Sequence, residues 1–380
     1  MTSVSKESVR RSADELGIDL LGFTSALPLE NARRRMEECL TRGLIPPGSD
    51  WKPEGIAAFC DPRRVLPSAA SVICAAQCYL SEVEPDDLSK PGEPHGLIAR
   101  YTRRNHYRDL HARLAGLEKI IGELAGRRVA SKSFCCGPLA EKPLARNAGL
   151  GWYGKHGIIV TPAFGSWVVL AEIVTELEFE PDPELRDGCG DCSLCLRACP
   201  TGALIAPALL DRAKCIQHLT NSPAPVPLKF RELWGRRLYG CTACQEACPK
   251  NRAVKPLNRR LSCGSVGPSL PLIPLLSMTE AEYRIKYADN QVSAGWIRFE
   301  SIQRNACLAL GNSGDPAAIG PLSEVMSSNP SLLVRSHAAW ALGRIGGKAG
   351  VLALERALAC ESKAQVRAEL ESARKTAGHC

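Results

Sequence analysis

No long, uninterrupted apolar run occurs in this chain. The longest such stretch, Gly157 to Val174, is broken by Pro162, Gly165 and Glu172. It suits two buried strands and excludes a membrane span, which needs about 20 apolar residues. The first residues, Met1 to Arg11, hold no apolar h-region, so a secreted protein built on disulfides is not expected. The expected location is the cytoplasm, where thiols stay reduced and clustered cysteines more often bind metal. Familiar cofactor fingerprints are missing as well. There is no G-x-G-x-x-G after a strand, no Walker A sequence and no C-x-x-C-H, which removes the dinucleotide, P-loop and c-type haem readings. Asp109-Leu110-His111 begins like the cobalamin motif D-x-H-x-x-G, but Leu114 stands at the glycine position, and the polar face of a helix explains it better. The net charge of +8 over 380 residues is modest; it tolerates an acidic partner without requiring one.

What is present is ordinary globular composition, 45% hydrophobic and 23% charged, at a length that fits roughly two to three domains. From about residue 5 to 180, helical and strand-like patterns alternate. Glu7 to Gly17, Leu29 to Gly43 and Tyr107 to Ala125 have helical spacing, and Ala70 to Leu80 reads as a strand. This predicts an α/β domain over residues 1–180. Pro181 and Pro183, then the Pro/Gly/Ser-rich stretch from Cys263 to Pro274, punctuate the chain. They bound a second domain over 181–262 and a third over 275–380. Nine Lys or Arg residues lie between Lys229 and Arg260 (229, 231, 236, 237, 250, 252, 255, 259 and 260) against Glu232 and Glu246 alone. Such a stretch can meet phosphates.

The last domain repeats itself at a spacing of 32 residues. Ala306, Ala309, Leu310, Gly311 and Gly314 recur as Ala338, Ala341, Leu342, Gly343 and Gly346; Leu322 recurs as Leu354, and Val334-Arg335 as Val366-Arg367. Helix-pair repeats cannot bury an apolar face alone, so they stack. A small HEAT-like array is expected, with a plain Ala/Leu-rich bundle as the alternative.

The middle domain carries the strongest signal. Cys189, Cys192, Cys195 and Cys199 followed by Pro200 reproduce C-x2-C-x2-C-x3-C-P, in which the fourth thiolate serves the other cubane of a two-cluster ferredoxin. A second copy has Cys241, Cys244, Cys248 and Pro249, but Leu238 occupies its first place. Cys215, between the motifs, is the nearest substitute. The expected ligand sets are Cys189, Cys192, Cys195 and Cys248 for one 4Fe-4S cluster, and Cys199, Cys215, Cys241 and Cys244 for the other. A zinc site made of two C-x2-C pairs also tolerates the spacing, yet leaves both Cys-Pro positions unexplained. Paired clusters move single electrons and imply an acceptor elsewhere in the chain.

Several segments, read together, resemble the cobalamin-dependent epoxyqueuosine reductases of queuosine-tRNA synthesis: SADELGIDLLGF, DPRRVLPSAASVI, ARYTRRNHYRDL, EKPLARNAGLGWYGKHGIIV, GSWVVLAEI, CGDCSLCLRACPTGAL, KCIQHLT and RRLYGCTACQEACPKN. The resemblance covers nearly the whole chain. It implies an α/β, reductive-dehalogenase-like catalytic domain that holds cobalamin, a ferredoxin-like module that feeds it electrons, and an all-α HEAT-like tail. The epoxide would be opened and its oxygen lost as water, which takes two electrons and two protons. Expected partners are the tRNA anticodon arm, on the basic surface and tail, and a reduced ferredoxin or flavodoxin-type donor. The protein is expected to act as a monomer, away from membranes, with a tail separable at about Leu270 that leaves the clusters intact.

By position within that family, cobalamin would meet Arg100, Tyr101, Lys155, His156, Gly157, Gly165, Ser166 and Trp167, together with Gln217, His218 and Thr220. Two departures concern the proton. The family typically has Val-Asp-Ser where this chain has Phe134-Cys135-Cys136, so Cys135 stands at the place of the family's acid. The family's Arg-Asp-Tyr-His run has become Asn105-His106-Tyr107-Arg108. Cys135 and His106 are therefore the expected proton-handling residues. Two other readings stay open: a related reductase acting on a different epoxide or organohalide, and a non-catalytic electron carrier on a helical scaffold.

Overall fold

The structure, a computed structural model, describes residues 4–46, 51–81, 87–256, 266–288 and 290–377. Arg259 and Arg260 of the basic stretch lie outside the described residues. The chain forms two compact units: Met1–Glu82, Asn105–Ala213 and Ala243–Leu261 make one, and Val83–Arg104, Lys214–Thr242 and Ser262–Cys380 the other. The two units interleave along the chain. The reason is a small sheet in the second unit, where His95–Ile98 pairs in parallel with Arg237–Tyr239 and antiparallel with Ser269–Pro271. Segments far apart in sequence are thereby sewn together.

The first unit is built on a four-stranded sheet of β1 (Leu20–Ser25), β2 (Ser71–Cys78), β3 (Ser131–Phe134) and β4 (Val168–Thr175), in the order β1-β2-β4-β3. All its pairings are antiparallel. β2 and β4 are buried along their whole length, as their continuous apolar runs require. Helices α1 (Lys6–Glu15) and α2 (His106–Ala125) pack together, and α2 also lies on β4, burying Leu110, Leu114, Leu117 and Ile121. Ser5 caps α1 and Asn105 caps α2, each accepting from a backbone N–H of the first turn. Helix α3 (Glu141–Asn147) packs on β1, β2 and β4. A Cβ at Gly22 of β1 would sit 2.1 Å from the carbonyl oxygen of Ala148, so only glycine lets this chain segment come down on the sheet.

In the second unit, α4 (Ile216–Asn221) joins a tail of α5 (Phe299–Ser313), α6 (Ile319–Ser328), α7 (Leu332–Ile345), α8 (Gly347–Cys360) and α9 (Ala364–Ala377). The inner helices α5, α7 and α9 stack in succession. The repeated glycines explain how: a Cβ on Gly311 would lie 2.8 Å from Cα of Ala341, and one on Gly343 2.7 Å from the carbonyl oxygen of Ala373. The same close approach recurs one repeat later. Leu322, Leu354, Val334 and Val366 are all fully buried. One continuous core runs from Ile216, Phe230, Trp234 and Leu238 through the tail helices to Leu370. The tail is therefore not a separable appendage, as the sequence suggested, because it supplies the cover for Trp234 and the segment after Cys215.

Candidate functional site

Iron–sulfur ligation needs thiols outside disulfides. None of the eight expected ligands is in one. Cys189, Cys192, Cys195 and Cys248 belong to the first unit, where the one-turn helices Leu194–Arg197 and Ala243–Glu246 pack together. Cys195 is buried, and burial, then the neighbouring thiols of Cys248 and Cys189, push its pKa up. Of the second set, Cys199 and Cys244 lie in the first unit and Cys215 and Cys241 in the second. The Cys199 sulfur accepts from the Ala203 N–H at 3.2 Å. Leu238, at the vacant motif position, is a buried strand residue whose carbonyl accepts from Asn305.

Around Cys215 and Cys241 the second unit is rigidly tied. Cys215 is the residue before α4, and its carbonyl opens that helix by accepting from Leu219. On α4, Gln217 accepts from the Cys241 N–H and Thr220 from the Gly240 N–H, each at 3.2 Å. Gly240 has φ +79°, and a Cβ there would meet Ala99 at 2.5 Å and Gln217 Oε1 at 3.0 Å. Arg100 and Tyr101 lie in the adjoining short turn, and His218 on α4 is half-buried. Arg304 of α5 closes the far end of α4. Its guanidinium donates to the carbonyls of Leu219 (2.7 Å), Ser222 (2.8 Å) and Ala224 (2.6 Å) and to Asn305 Oδ1. Burial lowers its pKa to about 9, yet a cation at a helix C-terminus meets the carbonyls that need donors.

In the first unit, Lys155, His156 and Gly157 form the turn between Trp152–Tyr153 and Ile159–Val160. Lys155 Nζ donates to the Gly190 carbonyl at 2.6 Å, beside Cys189. His156 is buried; its Nδ1 accepts from the Ile158 N–H at 3.2 Å, which places the ring proton on Nε2. That Nε2 has no partner, and burial, with Lys142 second, lowers the pKa to about 4, so the ring is neutral. Gly165, Ser166 and Trp167 form a socket for the residues after Cys248. Asn251 Oδ1 accepts from the Ser166 N–H (2.7 Å), and its Nδ2 donates to Ser166 Oγ (2.8 Å). The indole of Trp167 donates to the Asn251 carbonyl at 3.3 Å, and Gln245 Nε2 bonds Tyr79 Oη and Ser166. A Cβ on Gly165 would lie 2.2 Å from Asn251 Oδ1.

The residues expected to handle protons lie in that unit too. His106 is the buried first residue of α2, its ring 5.9 Å from that of Tyr79. Cys135 follows β3 and donates to the Leu170 carbonyl at 3.2 Å. Burial first, then Glu141, Glu172 and Cys136, raise its pKa far up, so it remains a thiol. Cys136 is forced to φ +58°, a conformation few side chains adopt. Of the basic stretch, Arg231 is buried and holds Glu369 at 2.5 Å, and Arg236 pairs with Asp87. Lys229, Lys250, Arg252 and Lys255 are exposed. Sequence reasoning missed Asn251, Arg304, Glu141 and Glu172. Only Glu172, an acid in an apolar strand, carried a signal.

Cysteines in a double ferredoxin spacing, in a chain that also carries a helical-repeat stack, define an iron–sulfur protein fused to HEAT repeats. Family models agree: a 4Fe-4S double cluster binding domain matches residues 188–251 and HEAT repeats match 298–374. A third, described as epoxyqueuosine reductase QueG, matches residues 60–135. The epoxyqueuosine reductase of Bacillus cereus is 35% identical over 96% of this chain and 95% of its own, and that of Bacillus subtilis 34% over 96% and 94%. A solved epoxyqueuosine reductase with an epoxyqueuosine-modified stem-loop of tyrosine tRNA superposes with TM-score 0.90 at 32% identity, covering 98% of both chains. The chain belongs to the epoxyqueuosine reductase family.

Proposed function

We infer that this chain is an oxidoreductase that reduces epoxyqueuosine to queuosine in tRNA. The observation that carries the reading is the end-to-end match to a reductase solved with an epoxyqueuosine-modified stem-loop. The eight cysteines, none of them in a disulfide, fit two 4Fe-4S clusters. Cobalamin fits the first unit on two observations. The buried His156 Nε2–H lacks an acceptor, and Gly157, at φ +76°, has open space where a side chain would stand. Lys155, His156 and Gly157 would hold cobalamin in that unit, and Arg100, Tyr101, Gln217, His218 and Thr220 keep their proposed role as cobalamin contacts. Gly165, Ser166 and Trp167 keep their proposed role, with the socket for Asn251 as what positions them. Bound there, cobalamin would supply low-valent cobalt for opening the epoxide. The chain's own residues must then exclude water and deliver protons, for which Cys135 and His106 are proposed. The anticodon arm would lie on Lys229, Lys250, Arg252 and Lys255 and the tail, with a reduced ferredoxin or flavodoxin-type donor and a monomeric enzyme.

The test is purification without oxygen in the presence of cobalamin, followed by nucleoside analysis of tRNA in a strain lacking its own reductase. Queuosine is the expected product, and stem-loop binding should weaken steeply with salt. One observation favours a second reading. The catalytic loop of the Bacillus subtilis enzyme is named for an aspartate, whereas Cys135 stands at the family's acid position here. A related reductase acting on another epoxide or organohalide would hold both cofactors and leave epoxyqueuosine tRNA unchanged.

A further inference from the structure

Behind the Phe134–Gly137 turn lies a pair of carboxyl groups that no step above uses. Glu172 sits in the middle of β4, opposite Cys74 of β2 and Phe134 of β3. It is 1% exposed, and neither of its oxygens has a hydrogen-bond partner. A bare carboxylate at such a place would cost several kcal/mol or more. Glu141, at the start of α3, is half-buried and accepts from the backbone N–H groups of Cys136 and Gly137. The helix that carries Glu141 packs on the strand that carries Glu172, and the charge of Glu141 acts on Glu172. The other titratable groups around them are Cys74, Cys135, Cys136 and Lys142. The buried face of α2, which packs on β4, carries His106 as well as Leu110, Leu114, Leu117 and Ile121.

We propose that Glu172 and Glu141 together form the proton store of this enzyme, with Glu172 the buried reservoir and Glu141 the half-buried member that hands protons to the Cys135–Cys136 turn. The proposal rests on the epoxide-reducing reading. In that reaction the two C–O bonds of the epoxide break, a C=C bond forms with two electrons from the reduced donor through the clusters, and the oxygen leaves as water with two protons. Burial raises both carboxyl groups, Glu141 to about 7 and Glu172 well above the ordinary carboxylate range, the latter also by repulsion from Glu141. Two carboxyls can thus carry two protons near neutrality where one aspartate would carry none. Glu172 acts through Glu141 and is a positioning residue.

The experiment uses the full chain with its clusters. At pH 8 the resting wild-type protein should show an infrared C=O band of a protonated carboxyl that is missing in Glu172→Gln. On the epoxyqueuosine stem-loop, Glu172→Gln should lower turnover on the order of 100-fold with stem-loop affinity and iron content unchanged. Wild-type turnover should decline as pH rises through about 7, and Glu141→Gln should remove that decline along with most of the rate. A band that survives in Glu172→Gln, or full turnover in that variant, overturns the proposal. If Glu172→Gln does not fold, a Glu141→Gln variant that keeps wild-type rate and pH profile overturns it equally. A wild-type chain that shows the band but leaves the stem-loop unconverted would overturn the substrate reading and leave the carboxyl pair standing.

Discussion

Two buried charge-bearing groups, one in each unit, have been treated in opposite ways. Arg304 is fully buried and its guanidinium reaches three carbonyls and an amide oxygen. Glu172 is as deeply buried and reaches nothing. A satisfied buried cation holds structure together, since removing it strands every acceptor it served. An unsatisfied buried acid contributes nothing of that kind, and its place in the strand is explained by chemistry instead. Fold-keeping and function-keeping residues can be told apart here by what their polar atoms touch.

The comparison breaks most visibly if the stack of helices is removed. Deleting the chain beyond Leu270 uncovers Trp234, Phe230 and Ile216, so the second unit should unfold. Iron analysis should then find about four irons per chain where the intact protein holds about eight. Arg304→Met is the next largest. It leaves the C-terminal carbonyls of α4 without donors and should cost about 3 kcal/mol locally, read as roughly 100-fold faster hydrogen exchange in Ile216–Asn221. Gly311→Val forces a side chain against Ala341 and should lose about 1–3 kcal/mol, measurable as a lower unfolding temperature with unchanged iron.

Smallest and sharpest is the pH dependence. Glu172 has a folded pKa above its unfolded value, so the folded state holds the extra proton and stability falls as pH rises from the ordinary carboxylate range towards that higher value. Glu172→Gln should flatten this alkaline slope by on the order of 1 kcal/mol per pH unit and leave the protein no less stable at pH 8. His337 gives the opposite sign. Its Nε2 accepts from the Val226 N–H at 3.1 Å, and burial, with Arg231 next, holds its pKa well below the usual value. Its contribution is present above the unfolded pKa and lost as pH falls. His337→Gln should flatten only the acid slope. Denaturant titrations at pH 5.5, 7 and 8.5 measure both.

Local pattern made much of this legible. The strand expected at Ala70 to Leu80 is Ser71–Cys78, and the helix at Tyr107 to Ala125 is His106–Ala125, because continuous apolar runs and a 3.6-residue period survive any tertiary setting. The 32-residue repeat marked the glycines at which helices touch. Interleaving of the units was not legible, since the pairing of His95 with Pro271 leaves no local trace. Nor was the role of Glu172. In the sequence it reads as an interruption that forbids a membrane span, and only its neighbours across three strands show it as an acid without a partner.

The Asn251 socket ties cofactor assembly to folding order. Asn251 lies three residues after Cys248, a cluster ligand by its spacing, and its side chain and carbonyl hold the Gly165–Trp167 loop at the start of β4. With Cys248 as a proposed cluster ligand, anchoring it should steady that loop, and iron supply is then expected to act as a checkpoint in maturation. Chains made in iron-starved cells should be cut by proteases near Phe164, and loading the clusters should protect them before any corrin is added.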